Sequence, residues 1–267
     1  MTDPLFDVPD GLPRLLELMR RLRDPETGCP WDIEQDFDTI APYTIEEAHE
    51  VADAIERRAW DELEGELGDL LLQVVYFGQM GAERDLFDFD SVARNVTAKM
   101  VARHPHVFGD ESRDKSAAQQ VRDWEVQKAA ERRAKGDAGV LAGVALGLPA
   151  LTRALKLQKR AARVGFDWPD SGQVLAKVAE EAEELAQVRD DPDRAEDEMG
   201  DLLFALVNLS RHLGVDPEAA LRRTNAKFTR RFGTIEAELA HGGRSPADAT
   251  LEEMDAIWTR AKRAERV

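Results

Sequence analysis

Glu66-Leu67-Gly68-Asp69-Leu70-Leu71 returns later in the chain as Glu198-Met199-Gly200-Asp201-Leu202-Leu203. Working outward, Ile45-Glu46-Glu47-Ala48-His49-Glu50 is mirrored by Ala179-Glu180-Glu181-Ala182-Glu183-Glu184. Leu15 to Arg21 precedes Gly28-Cys29-Pro30-Trp31-Asp32, and Leu155 to Arg160 precedes Gly165-Phe166-Asp167-Trp168. Further on, Ala98-Lys99-Met100 pairs with Ala226-Lys227-Phe228, and Trp124 through Lys128 pairs with Trp258 through Lys262. These landmarks keep one order at offsets of 128 to 140 residues. Self-similarity held over such a span marks a duplicated structural unit. The sequence therefore divides into two homologous domains, 10–135 and 145–267, joined by a linker over 136–144.

The recurring segments read as helices. No period-2 run of β-branched residues stands between hairpin turns. Thr44 with Glu47 three residues on has capping-box spacing, so Thr44 is expected to start a helix after Pro42. That helix would set Ile45, Ala48, Ala52 and Ile55 on one side and end before Trp60-Asp61. A second helix is expected from Asp61 to Met80. In the other repeat, helices are expected from Gly172 to Arg189 and from Asp193 to Leu213, with Pro192 at the start and Gly214 at the C-terminal cap of the second. Paired helical hairpins bury their apolar stripes by four-helix-bundle packing, so the fold class is all-α with two tandem helical domains.

Composition narrows the function. The chain has 267 residues, 43% of them hydrophobic, which is room for a sizeable core. Lys plus Arg number 36 against 53 Asp plus Glu, a net charge of −17. That balance argues against a nucleic-acid binder and against a basic membrane-surface helix. A single cysteine, Cys29, excludes an internal disulfide and a cysteine-based zinc site. The first ten residues lack a basic and apolar leader, and no stretch is long and apolar enough to span a bilayer, so a cytoplasmic location is expected.

The chemistry is expected where the repeats carry acids. Each has Glu-Glu-x-x-Glu, a gap of 13 to 15 residues, then Glu-x-x-Asp. An isolated acidic helix face is normally just solvated. Here, however, Gly68 to Phe77 holds only Asp69 and Tyr76 as ionisable groups, and Met199 to Leu209 holds only Asp201. Helices apolar nearly all round are expected to be buried, and a carboxylate on one needs a partner or a metal. Glu47 with Glu50, Glu66 with Asp69, Glu181 with Glu184, and Glu198 with Asp201 each lie three residues apart on one helix face. An antiparallel hairpin brings each two pairs together, and four converging carboxylates call for cations. Oxygen donors without cysteine or histidine favour Mg²⁺, with Mn²⁺ second. A di-iron bundle needs Glu-x-x-His on two helices; Glu46 to His49 fits, but Glu180 to Glu183 lacks the histidine.

Carboxylate-bound Mg²⁺ commonly also holds substrate phosphates, which attract cationic side chains. Lys99 and Arg103 supply them in the first repeat, and Lys227, Arg230 and Arg231 in the second. Trp124 and Trp258 offer faces for stacking on a base or, equally, anchors for packing. His104 and His106, flanking Pro105, read as loop or packing residues.

Gly28-Cys29-Pro30-Trp31-Asp32, Ala41-Pro42-Tyr43-Thr44-Ile45-Glu46-Glu47-Ala48 and Arg103-His104-Pro105-His106-Val107-Phe108-Gly109, with their counterparts Arg163 to Trp168, Glu198 to Phe204 and Asn225 to Phe228, resemble the MazG family of nucleoside triphosphate pyrophosphohydrolases. The resemblance covers nearly the whole chain and matches the two-domain bacterial members. It implies hydrolysis of a (deoxy)nucleoside triphosphate to the monophosphate and pyrophosphate, in housecleaning of the nucleotide pool, by a homodimer or larger assembly. It places metal ligands on Glu181, Glu184, Glu198 and Asp201, with Glu47, Glu50, Glu66 and Asp69 as their first-repeat counterparts. It places nucleotide contacts on Lys177, Glu180, Asn225, Lys227 to Arg231 and Trp258. Glu180, Glu181 and Lys177 are the expected catalytic set, with Glu180 or Glu181 taking the proton of the attacking water. The first repeat has Tyr43, Thr97 and Ala102 where the second has Lys177, Asn225 and Arg230, so the second is expected to be the main catalytic site. A nucleotide-sensing module with little turnover is the alternative.

Overall fold

The computed structural model describes residues 3–134 and 139–265. Among them the regular structure is entirely helical, in keeping with the periodicity. The chain forms two compact units, Met1–Gln127 and Lys128–Val267. Part of the expected linker, residues 136 to 138, lies outside the described residues.

The first unit is arranged around one long helix. After α1 (Leu12–Leu22) and the short α2 (Pro30–Glu34) come α3 (Phe37–Arg57), α4 (Trp60–Glu83), α5 (Phe89–Arg103), the one-turn α6 (Pro105–Phe108) and most of α7 (Ala117–Ala134). Helix α4 packs against α1, α3 and α5. Its core side is Val75, Tyr76 and Met80, joined by Met19 of α1 and Ile40 of α3, with Phe37 and Phe77 stacked beside them. Tyr76 keeps its polar tip satisfied: its hydroxyl donates to the Asp32 carbonyl at 2.9 Å. Burial pushes that phenol up to about 12. Where α4 turns into α5, a Cβ on Gly81 would stand 2.6 Å from the Phe87 carbonyl, so only glycine permits this approach.

In the second unit α8 (Ala150–Ala162) packs on α10 (Pro192–His212) and α11 (Pro217–His241), and α9 (Ser171–Val188) forms a hairpin with α10. A last helix, α12 (Leu251–Ala264), covers Ile235 and Leu239 of α11 with Ile257. The second-repeat helices begin and end within one residue of expectation. Pro192 is the first residue of α10, and Gly214 sits just past its end with φ +68°.

Two expectations need correction. Thr44 does not start α3; its hydroxyl lies inside the helix, 3.5 Å from the Ile40 carbonyl. The cap is Asp36, whose carboxylate accepts from the Asp38 and Thr39 amides at 3.0 Å each while the Asp36 amide donates to Thr39 Oγ1 at 2.8 Å. Those bonds, and the burial of Ile40 that the earlier start allows, outweigh the single helical bond forfeited at Pro42. Helices α4 and α10 are also not buried all round. Leu67, Leu71 and Val74, like Met199, Leu203 and Leu206, are exposed, and so are Ile45 and Ile55 of the α3 stripe.

The core assignment predicts that Met19→Ala costs about 2–5 kcal/mol and Asp36→Ala about 1 kcal/mol. Urea unfolding followed by circular dichroism measures both, and an equal loss for the two variants contradicts the assignment.

Candidate active site

Each hairpin brings acids from two helices together. In the first unit α3 ends at Arg57, Arg58 takes the left-handed conformation at φ 59°, and α4 begins at Trp60. So tight a reversal sets the two helices side by side. One carboxylate oxygen each from Glu47, Glu66 and Asp69 then lie within 4.8 Å of one another. In the second unit Glu181 of α9 meets Glu198 and Asp201 of α10 within the same limit. The fourth acid of each set, Glu50 or Glu184, stands outside the triad but beside it, Glu50 next to Glu66 and Glu184 next to Glu181.

Crowded like charges raise proton affinity. Burial, and then the charges of Asp69, Glu50, Glu46 and Glu66, push the Glu47 carboxyl up. Burial and the neighbouring acids also push up Glu66 and Glu184. Oxygen-only ligands drawn together against their own repulsion suit a hard divalent cation such as Mg²⁺.

The two clusters differ in their counter-ion. In the second, Glu181 is only 5% exposed, and the Lys177 ammonium sits 2.7 Å from it and 2.8 Å from the exposed Glu180. These hydrogen bonds push the Lys177 ammonium up, so it stays charged. In the first, Tyr43 occupies the matching place, edge-on to Trp31 at 6.4 Å.

The expected phosphate contacts are placed less directly. Lys227 is half-buried, and Asn225 is exposed. Arg230 and Arg231 both bind Glu265 at the end of α12, at 2.7 and 2.6 Å. No motif marked Glu265. Trp258 packs against Phe228 and the α11–α12 core, with the Arg231 guanidinium 5.4 Å over its ring. Trp124 donates to the Arg103 carbonyl and lies edge-on to His104. Both tryptophans thus anchor helices. His104 accordingly serves packing. Lys99 is exposed, and Arg103 is half-buried.

The sequence matches the MazG nucleotide pyrophosphohydrolase domain twice, over residues 35–108 and 171–234, which are the segments that carry the two acid clusters. This chain belongs to the MazG family. It is a hydrolase of that family. A nucleoside triphosphate pyrophosphohydrolase of Escherichia coli (strain K12) is 50% identical over 256 residues, covering 94% of this chain and 97% of its own length. The nucleoside triphosphate pyrophosphohydrolase/pyrophosphatase MazG of Thermotoga maritima is 41% identical over 248 residues, covering 93% and 94%.

The unequal counter-ions separate the clusters experimentally. In EDTA, Glu47→Gln removes repulsion and is expected to raise the melting temperature by about 2 °C. Glu181→Gln removes the shorter of the two Lys177 ion pairs and is expected to lower it. Excess Mg²⁺ should stabilise the wild type more than either variant, since a ligand of the folded state shifts its stability. The pH sign follows from Glu47, whose folded proton affinity is raised. Its destabilising contribution in the metal-free state is present at neutral pH and fades as pH falls through that raised value. The Glu47→Gln gain should therefore shrink as the pH is lowered from neutral toward the ordinary carboxylate range, as scanning calorimetry measures.

Proposed function

We propose that the chain hydrolyses nucleoside triphosphates to the monophosphate and pyrophosphate, using Mg²⁺ held by Glu181, Glu184, Glu198 and Asp201. The observation that carries this reading is the convergence of Glu181, Glu198 and Asp201 from two helices, with the Lys177 ammonium paired to the buried Glu181. The bound metal supplies charge neutralisation on the phosphates and acidifies water. Lys177 fixes Glu180 and Glu181 at the mouth of the cluster, and the exposed Glu180 carboxylate takes the proton of the attacking water. Lys227, Arg230 and Arg231 meet the phosphates, the two arginines turning from Glu265 to the substrate. Lys99 and Arg103 take the corresponding place in the first repeat.

The first cluster, without an equivalent of Lys177, is the weaker site. The repeats are two tandem domains, 10–135 and 145–267. The exposed apolar faces of α4 and α10 support a homodimer in which a second copy covers Leu71 and Leu203. No helix of the described residues is long and apolar enough to cross a membrane. The reading places the protein in the cytoplasm, clearing the nucleotide pool.

Pyrophosphate release from a panel of NTPs and dNTPs tests this. Release should need Mg²⁺, stop in EDTA, fall at least about 100-fold in Glu181→Gln, and persist within about threefold in Glu47→Gln. Equal losses in the two variants contradict the asymmetry. Sedimentation velocity should show a dimer for the wild type and a monomer for Leu71→Glu/Leu203→Glu.

A further inference from the structure

Two adjacent arginines of α11, Arg230 and Arg231, close on one carboxylate, that of Glu265 just past the end of α12. We propose that Glu265 is an internal competitor for the substrate's phosphates: it latches both arginines until a polyphosphate chain displaces it, and so sets the nucleotide concentration at which the site fills. The proposal rests on the reading above that these arginines meet the phosphates.

The clasp has the form of a bound phosphate. Glu265 Oε1 meets Arg230 Nε at 2.8 Å and Nη2 at 2.7 Å. Its Oε2 meets Arg231 Nε at 2.8 Å and Nη2 at 2.6 Å. Each oxygen thus occupies the Nε–Nη2 edge of one guanidinium, an edge with which arginine grips phosphate as readily as carboxylate. Two oxygens of one phosphoryl group offer the same pair of acceptors. Carboxylate and phosphate therefore compete for the same donors. The arginine hydrogen bonds hold the Glu265 carboxyl below the usual carboxylate range, so it is charged at neutral pH.

The latch is placed to yield. A carboxylate at the C-terminal end of a helix faces the negative pole of the helix dipole. Glu265 occupies that place, one residue after Ala264 of α12, so the helix itself disfavours the acid there. The Arg230 side chain is 61% exposed, and solvent screens that arm of the clasp. Arg231 is 12% exposed and lies over the Trp258 ring, which keeps its guanidinium in place when the carboxylate leaves. Other contacts join the two helices: Ile257 packs on Ile235 and Leu239, and Arg260 pairs with Glu238. In the first repeat Glu131 stands seven residues after Trp124, as Glu265 stands seven after Trp258, but Ala102 takes the place of Arg230. The paired arginines belong to the second repeat. A ligand that must first displace an internal contact loses affinity in proportion to the open fraction, so removing the contact tightens binding.

The test uses the full chain with Mg²⁺ and inorganic tripolyphosphate as the probe. In titration calorimetry Glu265→Gln should bind tripolyphosphate about fourfold more tightly than the wild type. KM for ATP should fall by the same factor, with kcat within about twofold. Glu238→Gln breaks another ion pair between α11 and α12 and should move neither value. In an Arg230→Gln background the gain from Glu265→Gln should shrink, because the acid acts through that arginine. Weaker or unchanged tripolyphosphate binding in Glu265→Gln overturns the proposal, since the acid then orients the arginines or does nothing for them. An equal gain in Glu238→Gln, or a gain of full size in the Arg230→Gln background, also overturns it. If the wild type releases no pyrophosphate from any nucleotide, the proposed reaction fails and calorimetry alone decides the latch: tighter tripolyphosphate binding in Glu265→Gln upholds it, and any other result overturns it.

Discussion

Repulsion among carboxylates is the constraint around which both units are organised. Helices α3 and α4, and again α9 and α10, bring acids within 4.8 Å of one another across a hairpin. Such proximity is unfavourable for a bare protein and becomes favourable once a divalent cation is shared. The rest of each unit holds the hairpin rigid against that repulsion. Tight caps at Asp36 and Asp170 fix where α3 and α9 begin, and the cores behind α4 and α10 fix their rotation. Structure that resists its own charges in this way is suited to a site that must be ready before its metal and substrate arrive.

The same constraint divides the two repeats. Lys177 offsets part of the charge in the second cluster and ties the buried Glu181 to the exposed Glu180. Tyr43 gives the first cluster no such relief. Nearby, Tyr76 fills out the first core, and its counterpart Asn208 borders a cavity. One duplicated scaffold therefore carries one acid cluster paired to a lysine with a cavity nearby, and another in which Tyr43 and Tyr76 hold the corresponding positions. The helices that carry the acids differ at most positions between the repeats, while the acids themselves are kept in both.

How much could be read beforehand follows the range of the interactions. The repeat, the helices, the cap at Gly214 and the pairing of acids across the hairpin are consequences of local spacing, and they were legible. Thr44 competes with Asp36 as a helix start because two capping patterns lie eight residues apart. The outcome turned on Ile40 finding a place in the core of α1 and α4. The apolar lengths of α4 and α10 imply burial, yet each keeps exposed apolar side chains, Leu71 and Leu203 among them.

The sequence by itself determined the all-α class, the duplication and the acids on each helix, because helical periodicity and motif spacing are properties of neighbouring residues. Only the tertiary structure decided which three acids meet most closely, that Glu265 holds the two arginines, that Trp258 packs against the core, and that Gln158 and Asn208 border a cavity. Each of those facts joins residues tens of positions apart, and long-range packing, with its demand that buried polar groups be satisfied, settles such contacts.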